Sequence, residues 1–243
     1  MSPASTASSS SSAGEVGGGR PVVLFDLDDT LMAHREAVAE GIAAHVHERG
    51  YVADLAAARA LWHELEERHY HAYLAGDLTF EGQRRARATD FANAHGDPID
   101  DEAAGAWFAR YFERYRDAWS LHDDVGPALD AIEAALPGVR FGIVTNGELE
   151  FQLAKLVRLG LEVGHPARIE HLVASGAEGV TKPDRRIFER AVGRFAADAP
   201  VSGAAYVGDR LRTDAIGAAR AGLVGVWLNR SGDRPSAADA ADA

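Results

Sequence analysis

The chain has 243 residues, enough to bury a sizeable core in one domain or two, and it is 47% hydrophobic and 26% charged, as soluble globular proteins are. Its net charge of -12 argues against general affinity for nucleic acid or an anionic membrane, and no apolar run approaches the length of a membrane span. It has no cysteine, which excludes disulfides, thiolate metal sites and cysteine nucleophiles.

Residues 1–19, MSPASTASSSSSAGEVGGG, lack the basic and apolar regions of a secretory signal. Their Ser, Gly and Ala cannot bury enough apolar surface to offset the entropy of ordering, so a disordered tail is expected there and again over 231–243. The folded part then runs from Arg20 to Arg230, and the cytoplasm is the expected compartment. The first strand is PVVLF at 21–25, and it runs straight into Asp26, Leu27, Asp28, Asp29 and Thr30. Three carboxylates ending an apolar strand repel one another and lose hydration, which calls for a function.

From about Ala33 to Ser120 there is no strand pattern. Four helical patterns begin at His34, Asp54, Thr79 and Asp100, separated by turn signals at Gly50, Gly76-Asp77 and Gly96-Asp97-Pro98. That is too long for a single crossover helix and predicts an all-helical cap domain over 33–120, inserted into a core made of 20–32 and 121–230. Apolar runs at 140–145, 169–175, 204–209 and 223–228 then alternate with helical patterns such as ELEFQLAKLVRLG and DRRIFERAVGRFA. The alternation predicts an α/β fold, a Rossmann-like parallel sheet with helices on both faces.

Ligands of open α/β sheets bind beyond the carboxyl ends of the strands. Those ends carry Asp26 to Thr30, Thr145-Asn146-Gly147, Thr181-Lys182-Pro183 on a loop, and Gly208-Asp209 with Asp214 five residues on. Each alone is accounted for as a cap, a turn or a solvated charge. Acids, a hydroxyl beside main-chain amides and a lysine at four successive strand ends are not.

The set resembles the haloacid dehalogenase-like hydrolase superfamily, in its branch with a helical cap after the first strand. The pattern of that superfamily, hhhhDxDxT, hhhT/S-N-G, K-P and GDxxxxD with h an apolar residue, is met at every position from Pro21 to Asn229. Within the branch, VTNG, GVTKPDRRIF and the cap stretch AYLAGDLTFEGQRRAR resemble the cytosolic pyrimidine nucleotidase and acylneuraminate-phosphatase group. The resemblance implies a phosphatase acting on a small phosphorylated metabolite, a nucleotide or sugar phosphate, as a monomer or homodimer. It implies Asp26 as the nucleophile that forms an aspartyl-phosphate and Asp28 as acid and base, with one carboxylate ionised and its neighbour partly protonated. Thr145, Asn146 and Lys182 would hold the phosphoryl group, and Lys182 would keep Asp26 ionised. Mg²⁺ is the implied cofactor, held by the Asp26 carboxylate, the Asp28 main-chain carbonyl and the Asp209 carboxylate, with Asp214 supporting them. Asp29 is expected to face away and Thr30 to hydrogen-bond the backbone.

A dehalogenase of this fold is disfavoured by Asp28 and Asp209, while a phosphomutase stays open, and a catalytically inactive binding module fits least because the site residues are all present. In the cap, the aromatics sit at helical spacing and read as core, and His63, His69 and His71 do not share a face at metal-ligand spacing. Gln83, Arg84, Arg85 and Arg87 form a local basic cluster, from which Arg84 is the candidate to grip a substrate anion.

Overall fold

The computed structural model describes residues 18–51, 54–230, 232, 234 and 235. The two expected tails lie outside the described residues apart from 18, 19, 232, 234 and 235. Strand β1 is Arg20–Phe25, β2 Arg140–Thr145, β3 Ile169–Ala174, β4 Val201–Gly208 and β5 Val224–Trp227. Among the described residues they form one sheet in the order β3-β2-β1-β4-β5, every pair parallel. The α/β class predicted from alternating runs is the observed one.

β1 is central and apolar because both of its faces are covered. Val23 and Phe25 join one buried cluster while Val22 and Leu24 join another, as the period of a strand requires. Helix α8 (Arg185–Asp198) covers the second cluster with Ile187, Phe188, Ala191 and Phe195. Helices α5 (Val125–Ala135) and α6 (Leu149–Arg158) cover the first. A one-turn helix α7 (Ser175–Glu178), a π-helical turn at Leu211–Ile216 and α9 (Gly217–Arg220) complete the connections.

Between β1 and β2 lie α1 (His34–Arg49), α2 (Leu55–Leu74), α3 (Phe80–Ala94) and α4 (Asp101–Asp117). Asp54, Thr79 and Asp100 cap the last three, each accepting a main-chain N–H bond of the first turn. Gly50, Gly76 and Gly96 take positive φ at the turns between them. Trp62 is fully buried and packs on Phe91, Trp107 and Tyr111, so these aromatics are core. At Gly41 a Cβ would come within 2.9 Å of the Tyr115 main chain, so this glycine sets how closely α1 approaches α4. The two passages between bundle and sheet run side by side: Ala33 N–H donates to Ser120 O at 3.0 Å, and His122 N–H to Leu31 O at 3.0 Å. Among the described residues, no helix is long and apolar enough to cross a membrane.

Candidate active site

The chain leaves β1 through a tight turn. Asp26 still donates its N–H to Val207 O at 2.9 Å, continuing the ladder, and then Leu31 and Met32 both donate back to Leu27 O. Asp29, at φ 60, makes the reversal possible, a conformation Asp tolerates when its side chain bonds locally. Its carboxylate accepts the Arg35 N–H at 2.8 Å and pairs with the Arg35 guanidinium at 3.1 Å. Asp29 therefore lines the cavity instead of facing away, because the turn needs its oxygen on that side. Thr30 departs from expectation too: its hydroxyl is buried with no partner among the described residues, and its carbonyl accepts from Arg230.

Lys182 arrives from the loop before α8. The Asn146 side chain fixes that loop, with Oδ1 accepting Lys182 N–H at 2.8 Å and Nδ2 donating to Lys182 O at 3.2 Å. The Asn146 amide is thus committed to positioning Lys182, which leaves its main chain as the part available for a phosphoryl cradle. The Lys182 ammonium donates to Asp26 Oδ1 at 2.6 Å, Tyr206 OH at 2.7 Å and Asp214 Oδ1 at 2.7 Å, using all three protons. Tyr206 passes its own proton to Val144 O at 2.9 Å. Asp214 is 1% exposed, and its second oxygen accepts Arg210 N–H at 2.9 Å. Gly208 leaves room for it, since a Cβ there would sit 2.4 Å from the Asp214 carboxyl carbon.

Carboxylate oxygens of Asp26, Asp209 and Asp214 lie within 4.8 Å of one another; the Lys182 ammonium bonds Asp26 and Asp214, and the Arg35 guanidinium, already paired with Asp29, stands 3.6 Å from Asp209. Burial pushes Asp26 up to about 7, against the pull of Lys182 and with the push of Asp214 and Asp209. Burial likewise raises Asp209 to about 6, helped by Asp214 and Asp29. Burial and the neighbouring acids thus work against the Lys182 ammonium at Asp26. The oxygen-only donor set, short of positive charge, fits a hard divalent cation such as Mg²⁺.

Asp28 behaves the other way. Lys155 on α6 donates to both of its oxygens, at 2.6 and 2.7 Å, and His34 stands 3.9 Å away. Burial opposes ionisation, but Lys155 and His34 hold the Asp28 carboxyl below its ordinary value. Asp28 thus has a cation of its own, Lys155, as Asp26 has Lys182. From His34 the ionic chain continues to Glu66 at 3.8 Å and on to Arg87. Neither Lys155 nor this chain was singled out from sequence. The available signal was a lysine on the buried face of α6, three residues after Gln152, which is also buried.

A cavity of about 540 Å³ joins the strand ends to the bundle. Asp26, Asp28, Thr145, Asn146, Lys182 and Asp214 line its floor, and Tyr70, Tyr73, Phe80, Arg84 and Phe112 its roof. Asp209 stands beside the cavity, not in its lining, grouped with Asp26 and Asp214, and Trp227 donates to its carbonyl at 2.9 Å. Each predicted site residue is thus in or beside one cavity, including Arg84.

Comparison with known proteins places the chain in a family. The family model described as haloacid dehalogenase-like hydrolase matches residues 21–222. A phosphoserine phosphatase of Thermus thermophilus is 32% identical over 240 residues, covering 88% of this chain and 90% of that protein. A glyceraldehyde 3-phosphate phosphatase of Pyrococcus abyssi is 40% identical over 91 residues, which span 37% of this chain and 36% of that protein. Among solved structures, the HAD-hydrolase YfnB of Bacillus subtilis, bound to magnesium, superposes with a TM-score of 0.70 at 20% identity, covering 90% of this chain and 91% of that one. The chain belongs to the haloacid dehalogenase-like hydrolases.

Proposed function

We propose that this haloacid dehalogenase-like hydrolase is a cytoplasmic Mg²⁺-dependent phosphatase that hydrolyses a small phosphate monoester, a nucleotide or sugar phosphate, through an aspartyl-phosphate on Asp26. The observation that carries the reading is Asp26 held at 2.6 Å by a buried Lys182, converging with Asp209 and Asp214 and lining a cavity between the strand ends and the bundle. An Asp26 oxygen attacks phosphorus as the bond to the leaving oxygen breaks. Lys182, Thr145 and main-chain N–H groups beside Asn146 balance the charge on the phosphoryl oxygens. Asp28 carries the proton. Held ionised by Lys155, it suits the second half of the reaction, taking a proton from the water that attacks the aspartyl-phosphate. To protonate the leaving oxygen in the first half, it must give up Lys155 bonding and take up a proton.

Mg²⁺ would be held by the Asp26 and Asp209 carboxylates and the Asp28 carbonyl, and when bound would supply charge neutralisation at the phosphoryl oxygens. Asp214, already bonded to Lys182 and Arg210, would steady that set rather than bind it. Residues 33–120 act as a cap that excludes water while the phosphoryl group is transferred.

A panel of phosphate monoesters, assayed for phosphate release with and without Mg²⁺, tests the reading. Metal-dependent release from at least one ester is expected. Isomerisation of a sugar phosphate without release would make the chain a phosphomutase, and halide release from 2-haloacids in chelator would make it a dehalogenase.

A further inference from the structure

The cations around the cavity are nearly all matched by acids. Arg35 pairs with Asp29, Arg87 with Glu66, Arg210 with Glu67, Lys155 with Asp28, and Lys182 with Asp26 and Asp214. Arg59 is exposed at the mouth and donates to the Ala39 carbonyl. Arg84 differs from all of these. Its Cζ lies 4.1 Å from the Phe80 ring centroid, and 5.3, 5.2 and 5.8 Å from those of Phe108, Phe112 and Phe151.

Four rings shield the guanidinium from water, favour its charge through their faces and offer it no hydrogen-bond acceptor. Its one carboxylate partner among the described residues is Glu81, at 2.9 Å on the same helix. Glu81 is 67% exposed and lines a separate cavity of about 150 Å³ on the far side of Arg84. Burial holds Arg84 below its ordinary value, and Glu81 only partly offsets that. Arg84 lines both cavities at 18% exposure, and Nη1 is the fork nitrogen that Glu81 engages.

Phe151 bounds the reach between Arg84 and the acid. Its centroid is 5.8 Å from Arg84 Cζ and 4.8 Å from the Lys155 ammonium that grips Asp28, so the two cations are at most about 11 Å apart. A small metabolite can therefore reach from Arg84 to the acid that serves the leaving oxygen. We propose that Arg84 is a specificity residue reading a second oxyanion on the leaving group, so that preferred substrates are short phosphate monoesters carrying a carboxylate or a second phosphate at the far end. This rests on the phosphatase reading above and narrows it.

Matched ester pairs test it. 3-Phosphoglycerate against glycerol 3-phosphate differs by the carboxylate, and fructose 1,6-bisphosphate against fructose 1-phosphate by the second phosphate. The protein should favour the anionic member of at least one pair by about tenfold or more in KM, the scale of one charge-assisted hydrogen bond. The pair that shows the preference identifies the oxyanion. Arg84→Met, which keeps an unbranched chain among the rings, should abolish the preference by raising KM for the anionic member alone, with kcat nearly unchanged. Arg84→Lys should keep part of it, because charge remains but the fork is lost. No preference in the unmodified protein, an unchanged preference in Arg84→Met, or an equal loss on both members would overturn the inference. If no ester is turned over, the phosphatase reading fails by itself. The inference is then read by calorimetric binding of 3-phosphoglycerate and glycerol 3-phosphate with Mg²⁺ present: discrimination lost in the Arg84 variants supports it, and equal affinity in the unmodified protein refutes it.

Discussion

Lys182→Met removes the ammonium while leaving an unbranched chain between Asp26, Tyr206 and Asp214. Three bonds of 2.6 to 2.7 Å disappear together. Two carboxyls, on residues 6% and 1% exposed, lose the one cation that touches both. Breaking a buried ion pair from one side costs about 3–5 kcal/mol. In a chain of this size each kcal/mol moves Tm by about 2–4 °C, so a drop of roughly 6–20 °C is expected. The pH dependence fixes the sign. Asp26 already sits at about 7 in the fold against 3.8 as a free side chain. A carboxyl raised in this way binds its proton more tightly folded than unfolded; its ionised form destabilises above the folded pKa and costs nothing below the unfolded one. Without Lys182 the Asp26 carboxyl rises further. The loss should be larger at pH 8, above the folded value, than at pH 5, where Asp26 is protonated with or without the ammonium. Thermal unfolding by circular dichroism at both pH values, in chelator so that no metal replaces the lost charge, measures it. A Tm within about 2 °C of the unmodified protein at pH 8, the behaviour of a solvated surface lysine, would refute the reasoning. So would a loss that grows on acidification.

Metal should matter in two separable ways: chelator should silence turnover with Mg²⁺ restoring it and Ca²⁺ doing so poorly, and Mg²⁺ near pH 8 should raise the Tm of the unmodified protein but not of Asp209→Asn. Full activity in chelator would contradict the role given to Asp209. Glu66→Gln strands the Arg87 guanidinium, whose side chain is 7% exposed, and should cost about 3–5 kcal/mol in urea unfolding. Because Arg87 and His34 depress Glu66 in the fold, this contribution is present above its free value of 4.5 and fades as pH falls below that; Glu66→Gln/Arg87→Met should recover most of the loss. Gly208→Ala puts a Cβ 2.4 Å from the Asp214 carboxyl carbon, so it should lower kcat by displacing Asp214; unchanged kcat would mean that Asp214 does not steady the site.

The strands were readable because each is a short apolar run, three of them (β1, β2 and β4) closing on Asp or Thr, and strand ends are where an α/β fold gathers its polar groups. The approach of Asp26, Lys182 and Asp214 follows from that rule. What they do to one another does not. How firmly Lys182 holds Asp26 ionised depends on depth and on the sum of nearby charges, and burial with Asp214 and Asp209 works against that ammonium. Lys155 was hidden for a related reason. On a helix otherwise read for its apolar face, a lysine passes for a solvated charge until the position of Asp28 gives it a partner. Asp29 and Thr30 depend on the φ values of a six-residue turn, which composition does not fix. The aromatic shell of Arg84 draws on α3, α4 and α6, three segments that only the folded chain brings together.

The covalent role of Asp26 can be read directly. Enzyme in excess over a phosphate monoester that it hydrolyses, quenched in acid within one turnover, should carry one phosphoryl group on the peptide containing Asp26. Borohydride should reduce that acyl phosphate and convert residue 26 to homoserine, visible by mass spectrometry. Asp26→Asn, with Mg²⁺ present and its fold intact, should give neither signal and no phosphate release. Phosphate release by the unmodified enzyme with no label on Asp26 at any quench time, together with appreciable turnover by Asp26→Asn, would contradict nucleophilic catalysis by this residue.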